Sequence, residues 1–300
     1  MMNIALPITN EIPILVRGFI APKEPEDDGS TRDKKPRIAR KIQRRISPWT
    51  LIFDTETTND AYQNLRFGTY QLRQGGELVE RGIFYDYRAL SKAEISRIRA
   101  YANSRDLTVI SLERFVRTVI IKKGYDLRAS IVGFNLPFDI SRIAATHNSA
   151  KGKVMKGGYS FHLLDNPYAP YVQIKHLSAR AAFIQFALPK GNQETSAQRR
   201  KGRRSAERRG NFIDLKTVAA ALFSRSFSLA TLADFLKTKN RKAVTEDHGK
   251  RLTYAYLDYA MQDTQVTWEC YEALQAEFAR HALQSTTMGK VLSEASLGKA

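Results

Sequence analysis

The chain has 300 residues, a formal net charge of +18, 43% hydrophobic and 10% aromatic residues. That composition excludes wholesale disorder and suffices for one large domain or two small ones. The only cysteine, Cys270, excludes an internal disulfide or a cysteine zinc cage. No uncharged apolar stretch is long enough to span a bilayer, and the opening "MMNIALPITNEIPILVRGF" lacks the basic region and long apolar core of a secretion signal. The expectation is an intracellular, cytoplasmic protein with no membrane partner.

Residues 1–48 read as an irregular basic arm, with "APKEPEDDGSTRDKKPR" having the proline and polarity of a linker. Within residues 32–45 eight basic residues face Asp33, a local charge of +7. From residue 49 the pattern becomes that of a folded domain. "TLIFDTE" (50–56) is a strand candidate, and 67–73 and 78–85 are its expected antiparallel neighbours around a Gly75-Gly76 turn. Helical spacing follows at 91–105 and 111–122, then a short β-rich run at 129–135 and a helix from Pro137 to His147. Residues 159–188 are β-prone. A loop at 190–210 follows, holding seven basic residues against Glu207 between 199 and 209, a local charge of +6. The two basic clusters account for 13 of the 18 excess charges, which suits a polyanion-binding protein because neutralising phosphates releases counterions. A strand at 211–215, helices at 216–223 and 228–237, and a long helix over 252–280 complete the domain, which is expected to span 49–285, with a tail or the start of a further domain at 286–300. Strands early and helices late indicate an α/β fold with a mixed sheet.

Three carboxylate placements stand out. Asp54 and Glu56 sit two apart on a strand, so both project from one face at its end. Two like charges that close repel unless a cation lies between them, and a divalent ion with oxygen ligands is the natural filler. In "IVGFNLPFDI" (131–140), Asn135 ends an apolar strand and Asp139 falls in the first turn of the next helix, delivering polar groups to one sheet edge. In the last long helix, the apolar stripe through Leu252, Tyr256, Tyr259, Val266, Cys270 and Leu274 includes Asp263. An aspartate on that face costs several kcal/mol unless paired or metal-bound. The overlapping pair Tyr254 and Asp258 lies on the opposite, solvent side at ~100° per residue, which singles out Tyr259 and Asp263. The five histidines lack the i, i+4 spacing of a zinc site.

In order, "DTET", "GFNLPFD" and "YAMQD" resemble the three motifs of the DEDD superfamily of 3′–5′ exonucleases in its tyrosine form, Tyr-x-x-x-Asp. Within that form the chain is most similar to the proofreading domain of family B DNA polymerases, and "IDLKTV" and "FSLATLADFL" share that character. The resemblance covers about residues 49–280. It implies a ribonuclease H-like fold and a two-metal hydrolysis of terminal phosphodiesters, with two Mg²⁺ or Mn²⁺ ions held by Asp54, Glu56, Asp139 and Asp263. Tyr259 would position the attacking water. Asn135, Phe138 and Thr57 would lie against substrate, with Phe138 stacking on the terminal base. The partner implied is nucleic acid, first of all a single-stranded DNA 3′ end, in a nucleoid or replication setting and possibly beside a polymerase module or replication partner. Arg199, Arg200, Arg203 and Arg204 of the basic loop match no motif of the family and are expected, from their charge, to contact phosphates. Palm, fingers and thumb do not fit into 300 residues, so the chain is expected to be either a stand-alone exonuclease or the N-terminal piece of something longer, and the ending "VLSEASLGKA" slightly favours a piece. A ribonuclease D-like RNA trimmer and a catalytically idle nucleic-acid-binding module are the competing readings.

Overall fold

The computed structural model describes residues 47–187, 211–245, 247, 249–283 and 286–298. The arm up to residue 46 and the loop at 190–210 lie outside them. Among the described residues ten strands form two sheets. The larger has the order β10-β5-β1-β2-β3-β4, from Asn211–Asp214, Ser130–Gly133, Trp49–Thr57, Leu65–Gln74, Glu77–Tyr85 and Thr108–Ser111. Strands β10, β5 and β1 run parallel, β1-β2-β3 is an antiparallel meander, and β4 returns parallel to β3. The mixed sheet flanked by helices is the α/β arrangement expected from the sequence. Gly75 and Gly76 make the β2–β3 turn, both at positive φ, where a side chain would be strained.

Strand alternation divides the core. Leu51 and Phe53 face one side, with Tyr70, Phe84 and Ile131. That side is covered by α2 (Leu112–Arg114), by the wider i→i+5 winding that continues it over Phe115–Asp126, and by α3 (Leu136–Ile143). Ile52 faces the other side with Val132 and Ile213, under α4 (Leu215–Phe223), α5 (Leu229–Leu236) and the long α6 (Tyr254–Arg280). A third cluster joins Phe67, Ile83 and Tyr256 to α1 (Lys92–Asn103). After α6 the chain turns back: Met288 and Val291 are buried, and Met288–Lys290 lies against β10 ahead of the short α7 (Glu294–Leu297).

Three elements differ from the sequence reading. Residues 108–111 form β4, although helical spacing suggested that a helix starts at 111; Ser111 both ends the strand and caps α2. Helix α3 stops at Ile143, because Ala144 is extended (φ −78°, ψ 135°). His147, expected at its end, instead lies in β6 (Thr146–Ser149), an exposed strand whose sequence THNS carries no apolar alternation. Strand β6 edges a second, antiparallel sheet of order β6-β7-β8-β9, with Tyr159–His162, Tyr171–Ser178 and Ala181–Ala187.

Candidate metal centre

Strands β1, β5 and β10 are parallel neighbours, so their C-terminal ends open on one sheet edge, where polar groups of α/β folds collect. Continuing the alternation from Ile52, Asp54 and Glu56 project toward α6. The helix is fastened there by Thr69, the register partner of Asp54: its hydroxyl donates to the Ala260 carbonyl at 2.9 Å and bonds the Thr264 hydroxyl. That anchor brings Asp263 over the two strand carboxylates. One carboxylate oxygen from each of Asp54, Glu56 and Asp263 lies within 4.8 Å of the others. Gly68 keeps β2 close at this point, since a Cβ there would come within 2.5 Å of the Asp54 carbonyl oxygen.

Burial and like charge act together on the cluster. Glu56 and Asp263 are each only 2% exposed, while Asp54 is partly open to solvent. The Tyr256 hydroxyl donates to Glu56 Oε2 at 2.7 Å. Burial, then the charges of Asp139, Glu56 and Asp263, hold the Asp54 carboxyl well above its ordinary pKa, with Lys242 opposing. Asp263 is raised by burial, against the pull of Lys242 and Tyr259. The Tyr259 phenol is raised by burial and by Asp263, so it is a neutral hydroxyl over the accessible pH range.

Asp139 takes a different position. It is 2% exposed, and its Oδ1 accepts from the Thr55 amide at 3.2 Å and from the Thr55 hydroxyl at 2.6 Å. Thr55 alternates with Asp54 and Glu56 and faces the α3 side, which is why Asp139 stands outside the group of three while its charge still reaches Asp54. Burial pushes Asp139 up to about 8, with the Thr55 hydrogen bonds opposing. Asn135 is the N-cap of α3 in the left-handed conformation (φ 70°), which asparagine tolerates better than most residues. Phe138 is half-buried, with the Arg142 guanidinium 4.9 Å from its ring centre. Thr57 is buried at the end of β1, beside a register shift. Arg199, Arg200, Arg203 and Arg204 lie outside the described residues. Tyr254 and Asp258, set aside on helical phase, are on the exposed side of α6.

Two residues of this edge had no distinguishing sequence signal. Lys242 lies in the irregular stretch between α5 and α6, and its ammonium bonds Asp263 Oδ2 and, at 2.8 Å, the Tyr259 hydroxyl. Asp214, at the end of β10, looks like an ordinary helix cap but joins two helices. Its Oδ1 accepts from the amides of Asn135 (2.7 Å) and Leu136 (3.1 Å), and its Oδ2 accepts from the amide (3.2 Å) and hydroxyl (2.6 Å) of Thr217.

Whether these residues fit a metal ion is decided by one atom. Among the described residues, Asp263 Oδ1 is the one buried side-chain oxygen or nitrogen with no hydrogen-bond partner. A buried, unsatisfied carboxylate oxygen is costly; beside two further carboxylate oxygens it is the donor set that a hard divalent cation takes. The triad can hold a metal ion. No helix among the described residues is long and apolar enough to cross a membrane. No protein-family model matches the chain, and no curated protein sequence matches it.

Proposed function

We propose that the protein is a metal-dependent 3′–5′ exonuclease with a ribonuclease H-like fold, of the tyrosine subtype and proofreading kind, acting on single-stranded DNA 3′ ends. The observation that carries this reading is the buried, unpartnered Asp263 oxygen facing Asp54 and Glu56. Asp54, Glu56 and Asp263 would hold one Mg²⁺ or Mn²⁺, and Asp139 is the fourth carboxylate available to a second. When bound, the ions neutralise phosphate charge and make a water acidic enough to be a nucleophile near neutral pH.

The chain's own residues do the rest. The neutral Tyr259 hydroxyl, fixed by Lys242, holds the attacking water in place. Lys242 compensates one carboxylate charge, so that the cluster is not left uncompensated between turnovers. Asp214 fixes the start of α3, and with it Asn135 and Asp139. Water attacks the terminal phosphorus, the bond to the preceding 3′ oxygen breaks, and a 5′-mononucleotide leaves.

The idle-module reading has one observation in its favour: the Lys242 ammonium already supplies a cation to Asp263. A 5′-labelled single-stranded DNA and its RNA counterpart, incubated in Mg²⁺, Mn²⁺ or EDTA, separate the readings. The expected result is a metal-dependent ladder shortening from the 3′ end, faster on DNA and absent in the Asp54→Ala/Glu56→Ala protein. Binding without any ladder would favour the idle module.

A further inference from the structure

The β6–β7 hairpin carries a second surface. His147 pairs with Phe161 and Ser149 with Tyr159 in antiparallel register, so His147, Phe161 and Tyr159 share one face of the sheet. Their ring centres form a triangle: 6.4 Å from His147 to Tyr159, 6.1 Å from His147 to Phe161 and 6.2 Å from Tyr159 to Phe161. Tyr159 is 51% exposed, and His147 lies on an edge strand that is exposed along its whole length. Phe161 is half-buried and anchors this face on the main core, so the exposed aromatic area is that of Tyr159 and His147.

The loop closing this hairpin carries Lys151, Lys153 and Lys156, all exposed, and residues 147–162 contain no acidic residue. This is a built loop. Met155 is buried beneath it, the Gly158 amide donates to the Met155 carbonyl, the Ala150 amide donates to the Gly158 carbonyl (both 2.9 Å), and Lys175 Nζ donates to the Val154 carbonyl at 3.2 Å. The hairpin follows α3 directly, and α3 has Asp139 in its first turn; its eight residues extend about 12 Å at 1.5 Å per residue.

We propose that this hairpin binds single-stranded nucleic acid beyond the terminal nucleotide, with bases against the His147–Tyr159–Phe161 face and phosphates on the three loop lysines. Rings accept bases without regard to sequence, and a cationic rim follows the backbone. An acidic protein or an anionic membrane could engage lysines and rings as well, but only a nucleic acid makes binding depend on the presence of bases, which the test reads directly. The inference deepens the nuclease reading, and rests on it only for which end of the strand lies at the metal centre.

The test measures fluorescence anisotropy of a labelled oligothymidylate with the full chain in EDTA, where no cleavage occurs, at several salt concentrations. Three variants are compared: His147→Ala/Tyr159→Ala, Tyr159→Phe, and Lys151→Ala/Lys153→Ala/Lys156→Ala. The expected results are about a tenfold loss of affinity for the first and near-native affinity for the second. The third should lower the log–log salt slope by about 2, from three phosphates at about 0.7 each. Native affinity in the first variant, equal loss on an abasic oligomer, or lysine-dependent binding to anionic vesicles that matches the oligonucleotide would overturn the proposal. Hydrolysis of a mononucleotide ester in Mg²⁺ stays native in these variants if the nuclease reading holds, so the two proposals fail separately.

Discussion

Two buried aspartates on the same sheet edge have opposite surroundings. Asp214 accepts four hydrogen bonds from two helix starts, with both oxygens engaged. Asp263 is likewise shut off from solvent, has two neighbouring carboxylates, and leaves one oxygen without a hydrogen bond. Burial raises the pKa of both; the fold answers both oxygens of Asp214, but at Asp263 it answers only Oδ2, through Lys242. A carboxylate satisfied from within the fold is a brace; one left unsatisfied among like charges is set for a ligand from outside.

Substitutions at the two positions separate brace from ligand. Asp263→Asn keeps the shape and removes the charge. Hydrolysis is expected to fall by about a hundred- to a thousandfold, the cost of removing one transition-state donor from such a site, while the metal-free melting temperature is maintained or rises. Asp214→Ala is expected to do the reverse in thermal unfolding. It strands four donors and costs about 3 kcal/mol or more, with or without Mg²⁺. Equal Mg²⁺ dependence in both proteins would erase the distinction.

A pH series sharpens the same contrast. Asp54, Asp139 and Asp263 have folded pKa values above their ordinary ones. Between the ordinary value of 3.8 and the folded value, the folded state binds more protons than the unfolded state, so stability falls as pH rises. For Asp139 this window closes at about 8. Metal-free protein is therefore expected to lose stability from these groups between about pH 4 and 8. Mg²⁺ at a hundredfold excess over its Kd should restore about 2.7 kcal/mol near neutral pH. A metal-free melting temperature that climbs across this range would show that these groups do not dominate. The smallest effect belongs to the exposed pair Arg117–Glu113 at 2.9 Å: Arg117→Ala should change stability by less than about 0.5 kcal/mol, which provides the baseline for unfolding measurements.

What could be read in advance followed periodicity. The period of two puts Asp54 and Glu56 on one face, and the helical phase places Asp263 inward and Asp258 outward; the structure has both arrangements. Period two also contained the fact that Thr55 faces the other way, but it could not say that Thr55 would hold Asp139 there, because that bond joins residues 84 apart. Lys242 was out of reach for the same reason: it comes from an irregular stretch, where no pattern shows where a side chain points. Strand β6 carries no periodic signal because THNS has no buried face to impose alternation. No pattern singles out Asp214: it is the N-cap of α4, and its second role depends on β10 lying beside β5.

The most direct measurement is a calorimetric titration of Mn²⁺ into the metal-free full chain at neutral pH, repeated on Asp54→Ala/Glu56→Ala. Saturable binding in the first and its loss in the second is the expected result. Binding absent from both proteins, or equal in both, would mean that Lys242 alone neutralises the cluster and that no metal centre is built there.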